Sequence, residues 1–478
     1  MGVLERPGHR IKEIGGGDCM KNWRNGWVMG ALLALFITTS VQAADIRLEL
    51  KETDWELKPG LTTRVWSYNG TVPGTPIVVQ DGERVVVEGV NHLPVATNIH
   101  WHGLLVPNDQ DGPGKVIQPG ETFRYEFTAG EAGTYWYHSH HRPVLTQVDM
   151  GLYAPFIVKT AADSRYSGDH VLVLDDWYLD AKGNRLAGTA RGEMERYGNV
   201  ETVNGKTGDA IQPLVFHHGE LHKLRLINAS TAAYHTLSMD GHRFRVTHTD
   251  GHPLVEPYMT DSVTLVPGER LDVEVAAVGA PGQRYQLASD RKELGLVVPV
   301  VYDSIVVKPV TSPLAPVQPK GFAGVADRVP DFVLELGSDM GGMSGSNMTG
   351  MQHAGHGVMP AVQAGASGMR WTLNGKVFPD TDSLPVKTGQ VVKVRFWNKD
   401  VQGMHPMDHP IHVHGAYFQV ISLNGKSPVR ETWKDTINVP AGEYVDVAFV
   451  TQHTGDWMLH CHILDHEDGG MMTVITAR

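Results

Sequence analysis

The chain has 478 residues, enough for about three domains that each bury a core, which excludes a single small domain. Its 41 Lys and Arg against 53 Asp and Glu give a net charge of −12 with no basic run, which excludes a nucleic-acid footprint. Two cysteines, Cys19 and Cys461, rule out a disulfide scaffold; 25 histidines beside them point to metal, and 53 Gly with 28 Pro favour short strands and many turns.

Residues 1–44 read as a leader. Lys21 and Arg24 precede the apolar run Val28 to Ile37, and Val41-Gln42-Ala43 offers small residues at a signal-cleavage spacing. The run is too short to span a bilayer, so the expected product is exported, periplasmic or secreted, with no membrane insertion of the mature chain. Arg24 stands without a second arginine, which fits the general secretory route, and Met20 is an alternative start. Cys19 leaves with the leader on either start, and Cys461 remains without a partner.

From residue 45 onward, alternating strands such as Arg84-Val85-Val86-Val87-Glu88 are separated by Pro-Gly and Asn-Gly turns, the pattern of β-sandwiches. Asn69-Gly70, Asn204-Gly205 and Asn374-Gly375 each precede a Gly-led strand, beginning at Gly82, Gly219 and Gly389. His100, His102 and Gly103 recur 312 residues later as His412, His414 and Gly415. Gly120, Gly133, His138 and His140 recur 322 residues later as Gly442, Gly455, His460 and His462. This predicts three copies of one module: 45–160, 161–311, and 331–478 after a linker at 312–330 that contains the Pro-rich stretch Ser312 to Pro319. The middle copy keeps Pro267-Gly268-Glu269-Arg270 at the place of Pro119-Gly120-Glu121, lacks the paired histidines, and reads as a spacer or substrate-facing domain without metal ligands. A Gly/Met-rich insertion, residues 339–368, precedes Asn374 and has no core-forming periodicity.

A His-x-His pair on a strand presents both imidazoles on one face, because side chains alternate with period two. There are four such pairs: His100-Trp101-His102, His138-Ser139-His140, His412-Val413-His414 and His460-Cys461-His462. One isolated histidine is usually a satisfied core or surface residue, a reading that suits His217, His218 and His235. Around the last two pairs stand His409, His466 and Met471, which with Cys461 make the two-imidazole, one-thiolate, weak-thioether set of a blue copper site. Eight histidines remain, enough for three further ions, and imidazoles without carboxylates suit copper rather than magnesium or calcium. Because His460 and His462 flank Cys461, adjacent residues join the thiolate site to the histidine cluster.

These segments resemble the signature of the multicopper oxidases, the family of laccases, bilirubin oxidase and bacterial copper-efflux oxidases. The resemblance covers the whole mature chain and implies an all-β fold of three consecutive cupredoxin-like Greek-key β-sandwich domains. It also implies four copper ions: one type 1 in the third domain, and one type 2 with two type 3 between the first and third. His100 and His412 would hold the type 2 ion, His102, His138 and His462 one type 3 ion, and His140, His414 and His460 the other. The implied reaction couples one-electron oxidation of a reductant to reduction of dioxygen to water, with Asp111 and Glu467 matching acidic positions that relay protons. A thioether at Met471 implies a low-to-middle potential. The insertion, with Met340, Met343, Met348, Met351, Met359, His353 and His356, resembles the methionine-rich insert of cuprous oxidases, so Cu(I) is the expected reductant, and Met404 and Met407 stand beside His409 to add to that surface. Phenols and aromatic amines, as for a laccase, are the alternative, and a monomer is expected. A copper chaperone needs no cysteine-linked cluster, and a copper nitrite reductase has no paired-histidine set.

Overall fold

The computed structural model describes residues 44–186, 197–309, 317–318, 320–339, 369–401 and 406–478. Residues 1–43 of the leader, 312–316 and 319 of the Pro-rich stretch, 340–368 of the insertion and Met404 therefore lie outside the described residues, while Ala44 and Asp339 belong to strands Ala44–Lys58 and Phe332–Asp339. Strands dominate, with two short helices, α1 (Val144–Asp149) and α2 (Leu464–Asp468). No helix among the described residues is long and apolar enough to cross a membrane.

The strands form six sheets that pair into three two-sheet sandwiches. Each sandwich is built around the same parallel pair: Ala44–Lys58 beside Arg84–Asn91, Gly168–Trp177 beside Leu221–Asn228, and Phe332–Asp339 beside Val391–Asn398. Each closes its second sheet with a second parallel pair. Three separate apolar cores fill the sandwiches, around Trp101, Phe216 and Trp457 respectively. A fourth cluster joins Trp136 of the first sandwich to Trp177 and Ile227 of the second and Leu464 of the third.

The repetition extends to individual hydrogen bonds. Asn69, Asn204 and Asn374 all take left-handed backbone before a left-handed glycine, the type I′ geometry that Asn-Gly favours. Each side-chain oxygen accepts a backbone N–H from the neighbouring strand, at 2.7 Å from Glu49, 2.9 Å from Val173 and 2.7 Å from Glu335. A second set, Asn91, Asn228 and Asn398, ends the central strand of each copy, and each donates its amide to two backbone carbonyls. Gly120, Gly268 and Gly442 in turn donate to the carbonyls of these three asparagines. In one respect the expectation needs correcting: Gly82, Gly219 and Gly389 are left-handed turn residues, and the strands begin two residues later at Arg84, Leu221 and Val391. The positive φ that makes glycine suitable there also keeps it out of the ladder.

The first and third sandwiches are locked through their helices. Helix α1 starts after Pro143, which has no side chain able to cap it. Asp468 of α2 does so instead, accepting the N–H groups of Val144 at 3.1 Å and Leu145 at 2.9 Å. Arg142 returns the contact by donating to the carbonyls of Glu467 and Asp468 at 3.1 and 2.7 Å.

Candidate metal centre

The strands His100–His102 and Gly133–His138 pair so that His100 faces His138, and the third sandwich repeats this with His412 facing His460. The two half-sites meet ring to ring. His100 stacks on His414 at 3.9 Å between centroids, and His102 on His412 at 3.8 Å, as expected for two copies of one module related by a pseudo-twofold axis. All eight histidines are buried.

Their nitrogens divide into two classes. One class is tied to protein acceptors: His100 Nδ1 to the Asp111 carbonyl at 2.9 Å, His138 Nδ1 to the Ser139 carbonyl at 2.9 Å, and His460 Nδ1 to the Cys461 carbonyl at 3.0 Å. His412 Nδ1 donates to the Asp435 carbonyl at 2.9 Å, His414 Nδ1 to Asp111 Oδ2 at 2.8 Å and His102 Nε2 to Asp435 Oδ1 at 3.2 Å. The other class faces inward. His100 Nε2, His102 Nδ1, His138 Nε2, His412 Nε2 and both nitrogens of His462 are buried without a hydrogen-bond partner. The Nε2 atoms of His140 and His414 lie 3.3 and 3.1 Å from that of His460. Burial pushes the pKa of His102, His138, His140, His412, His414, His460 and His462 down, so these rings are neutral and keep a lone pair. Buried, inward-facing lone pairs without partners are costly unless a cation takes them, so the donor set fits metal ions.

On the opposite face of the same strand, Cys461 points into the third core. Its Sγ lies 3.5 Å from His466 Nδ1 and 3.8 Å from His409 Nδ1, and the two imidazole nitrogens are 3.1 Å apart. Met471 is buried in the same core, and its backbone bonds both ligand segments, donating to His466 O at 2.9 Å and accepting from Cys461 N at 3.1 Å. Burial takes His409 down to about 3 and pushes the Cys461 thiol up, so the thiolate needs a metal to exist there. Trp371 lies against His466 with ring centroids 3.6 Å apart.

Both acidic candidates stand against the histidine cluster. Asp111 bonds His414 and also holds Oδ1 3.3 Å from His100. Glu467 has oxygens 3.2 Å from His460 Nδ1 and 3.4 Å from His140 Nε2, without the angles of a hydrogen bond, and burial raises its pKa well above the usual range. The methionines Met340, Met343, Met348, Met351 and Met359 lie outside the described residues, and Met407 packs half-buried on the third core.

Sequence reasoning missed the contribution of the middle sandwich. Its Arg270 is fully buried and grips Asp435 with both terminal nitrogens, at 2.7 and 2.6 Å, while also donating to the carbonyls of Thr134 and Asp250. One guanidinium thus touches all three sandwiches and holds the carboxylate that bonds His102. Burial opposes the Asp435 charge, but Arg270 outweighs it and keeps the carboxyl well below its usual range. Gly268, two residues earlier, lies where a Cβ would overlap the His462 ring. The middle copy is therefore more than a spacer. The available signal was a departure from the repeat, since Arg270 stands where the other copies have Thr122 and Tyr444.

Residues 49–163, 168–299 and 348–478 each match the multicopper oxidase family. The chain belongs to the multicopper oxidases. A multicopper oxidase of Mycobacterium tuberculosis, MmcO, is 27% identical over 449 residues, covering 85% of this chain and 82% of that protein. Laccase-2 of Botryotinia fuckeliana is 28% identical, covering 86% of this chain and 78% of that protein. The solved structure of a Campylobacter jejuni multicopper oxidase described as a metallo-oxidase superposes with a TM-score of 0.71 and 28% identity over 91% of this chain and 96% of that one. The three sandwiches are accordingly cupredoxin domains, and the enzyme is a copper-dependent oxidoreductase that uses dioxygen and a reducing substrate. The partnerless imidazoles and the Cys461 set include several groups of donors close enough to hold metal ions, as the family's copper cofactors need.

Proposed function

We propose that this multicopper oxidase takes its electrons from Cu(I) and holds its four copper ions with the twelve residues named from the sequence. His409, Cys461, His466 and Met471 hold the type 1 ion. His100 and His412 hold type 2. His102, His138 and His462 hold one type 3 ion, and His140, His414 and His460 the other. Bound copper supplies the one-electron chemistry that joins four oxidations to the reduction of dioxygen to two waters. The protein's own part is to fix the rings, exclude bulk water by burial, and connect the two centres through the adjacent residues His460, Cys461 and His462.

Forming two waters consumes four protons. Asp111 and Glu467 both reach the cluster's histidines, and unlike Asp435 neither is clamped by Arg270; they relay those protons. Asp111→Asn keeps the size of the side chain and removes its proton. Dioxygen uptake is expected to fall about a hundredfold to ten-thousandfold. Unchanged uptake from pH 5 to 8 would remove Asp111 from the relay.

The observation that carries the Cu(I) reading is where the methionine insertion is rooted. Strand Phe332–Asp339 pairs with Arg370–Leu373, so residues 340–368 leave and return at the Asp339–Arg370 end of that ladder, and Ser338 faces Trp371, the ring stacked on His466. Thioethers are soft donors for Cu(I), and the described residues on which the insertion begins and ends include Trp371, which touches the His466 ring. Deleting Met340 to Met359 is expected to lower Cu(I) oxidation at least about tenfold while phenol oxidation stays or rises. Equal loss on both substrates would favour the laccase reading. The leader supports export to the periplasm or beyond, with the mature chain acting as a monomer.

A further inference from the structure

Ring nitrogens of two histidines approach within hydrogen-bond distance at four places among the described residues. Three are in the copper centres: His140 with His460 at 3.3 Å, His414 with His460 at 3.1 Å, and His409 with His466 at 3.1 Å. The fourth is in the middle domain, which holds none of the copper ligands. There His170 Nε2 lies 3.1 Å from His222 Nδ1. Two imidazole nitrogens bound to one tetrahedral ion at ordinary metal–nitrogen lengths stand about 3.3 Å apart, so the separation suits a shared ion as well as it does in the copper centres.

The surroundings are those of a ligand pair. His170 and His222 come from the parallel strands Gly168–Trp177 and Leu221–Asn228, whose register places Gly168 opposite His222 and His170 opposite Leu224. Gly168 leaves the space both nitrogens face, because a Cβ there would overlap each of them. The far nitrogen of His222, Nε2, donates to Glu220 Oε2 at 2.9 Å, and the same oxygen accepts the His217 backbone N–H at 2.7 Å. A carboxylate behind an imidazole fixes its tautomer and turns the other nitrogen into a bare donor, the arrangement that accompanies metal-bound histidines. Phe216 stacks on the His222 ring at 3.8 Å and fixes its plane. His222 is buried while His170 is half-buried, so the pair opens towards solvent. Burial lowers the pKa of both rings, leaving them neutral. Along the strand, His222 lies six residues, about 20 Å, from Asn228, whose carbonyl holds the Gly268 turn against His462.

We infer that His170 and His222 form a fifth metal site, which takes one copper or zinc ion through His170 Nε2 and His222 Nδ1, with Glu220 fixing the His222 ring and water completing the coordination. The pair holds borderline transition ions that favour imidazole, not magnesium or calcium.

The test adds Zn(II) alone, and in a second arm Cu(II) alone, to the copper-loaded enzyme, with bound metal counted by equilibrium dialysis. The wild type is expected to take up one ion beyond its four coppers. His170→Gln, a change at the half-buried member, is expected to lose that ion while keeping the blue absorption and dioxygen uptake of the wild type. Glu220→Gln is expected to weaken it about tenfold to a hundredfold. Uptake in the Cu(II) arm only would assign the site to copper, and in both arms to either ion. If the wild type takes up no additional ion in either arm, or His170→Gln takes up as many as the wild type, the pair is an ordinary His–His hydrogen bond and the inference fails. This outcome does not touch the assignment of the other four ions, since the blue absorption reports the Cys461 centre and dioxygen uptake reports the histidine cluster.

Discussion

Cys461→Ser is expected to abolish the blue colour and reduce substrate-driven dioxygen uptake to background while leaving most of the bound copper in place. Cys461 is the free thiol among the described residues, and its Sγ lies within 3.8 Å of both His409 and His466. Serine nearly matches its volume but offers a hard hydroxyl in place of the polarizable thiolate, so the ligand-to-metal charge transfer that colours such a site has no donor. The buried hydroxyl needs a partner, and an unsatisfied one costs about 1–3 kcal/mol, well within what a chain of this size tolerates. His460 and His462 stay on the same backbone, so the histidine cluster keeps its donors and copper content should fall by one ion per chain. Absorption, copper analysis and oxygen uptake on one preparation check all three statements. A serine variant that stayed blue would place the type 1 centre elsewhere.

Arg270→Met should destabilise the protein even without copper and loosen copper binding more than its distance from any ligand suggests. Both members of the Arg270–Asp435 pair are buried, and removing one leaves the other as an unpaired interior charge, a loss of about 3–5 kcal/mol. The nearby Lys434 does not replace the guanidinium, because it is already engaged with Asp250 and Glu269 at 3.1 and 2.7 Å. Asp435 also fixes the His102 ring through Nε2, so copper affinity of the cluster is expected to fall about tenfold to a hundredfold. Adding Asp435→Asn to the Arg270→Met protein removes the stranded charge and should restore part of the stability without restoring copper retention. Thermal unfolding of the copper-free protein and copper dialysis separate these effects. Unchanged copper retention in Arg270→Met would reduce the pair to an interdomain clamp.

These two positions also mark how far the sequence could be read. The His-x-His pairs are legible because strand periodicity alone puts both rings on one face, and the two constant offsets, 312 and 322, state that the half-sites are copies. The Asn-Gly turns are legible for a similar local reason. Arg270 and Asp435 are not, because their meeting depends on how three sandwiches pack, and no pattern within one strand encodes a partner 165 residues away. The second asparagine set, Asn91, Asn228 and Asn398, was within reach, since each ends the corresponding strand of its repeat. Trp371 reads locally as a core residue; only the return of α2 brings His466 onto its face.

The way the two half-sites stack imposes an order on biogenesis. Asp111 and His414 are 303 residues apart, and His140 and His460 are 320 apart. The first domain supplies only half of each ring stack, and the residues that close the cradle lie near the end of the chain. A complete histidine cluster therefore requires that the final strands have paired and Asp468 has reached Val144 and Leu145. Chains that stop before His460 should therefore be unable to retain the cluster at all, which makes copper occupancy a readout of complete synthesis.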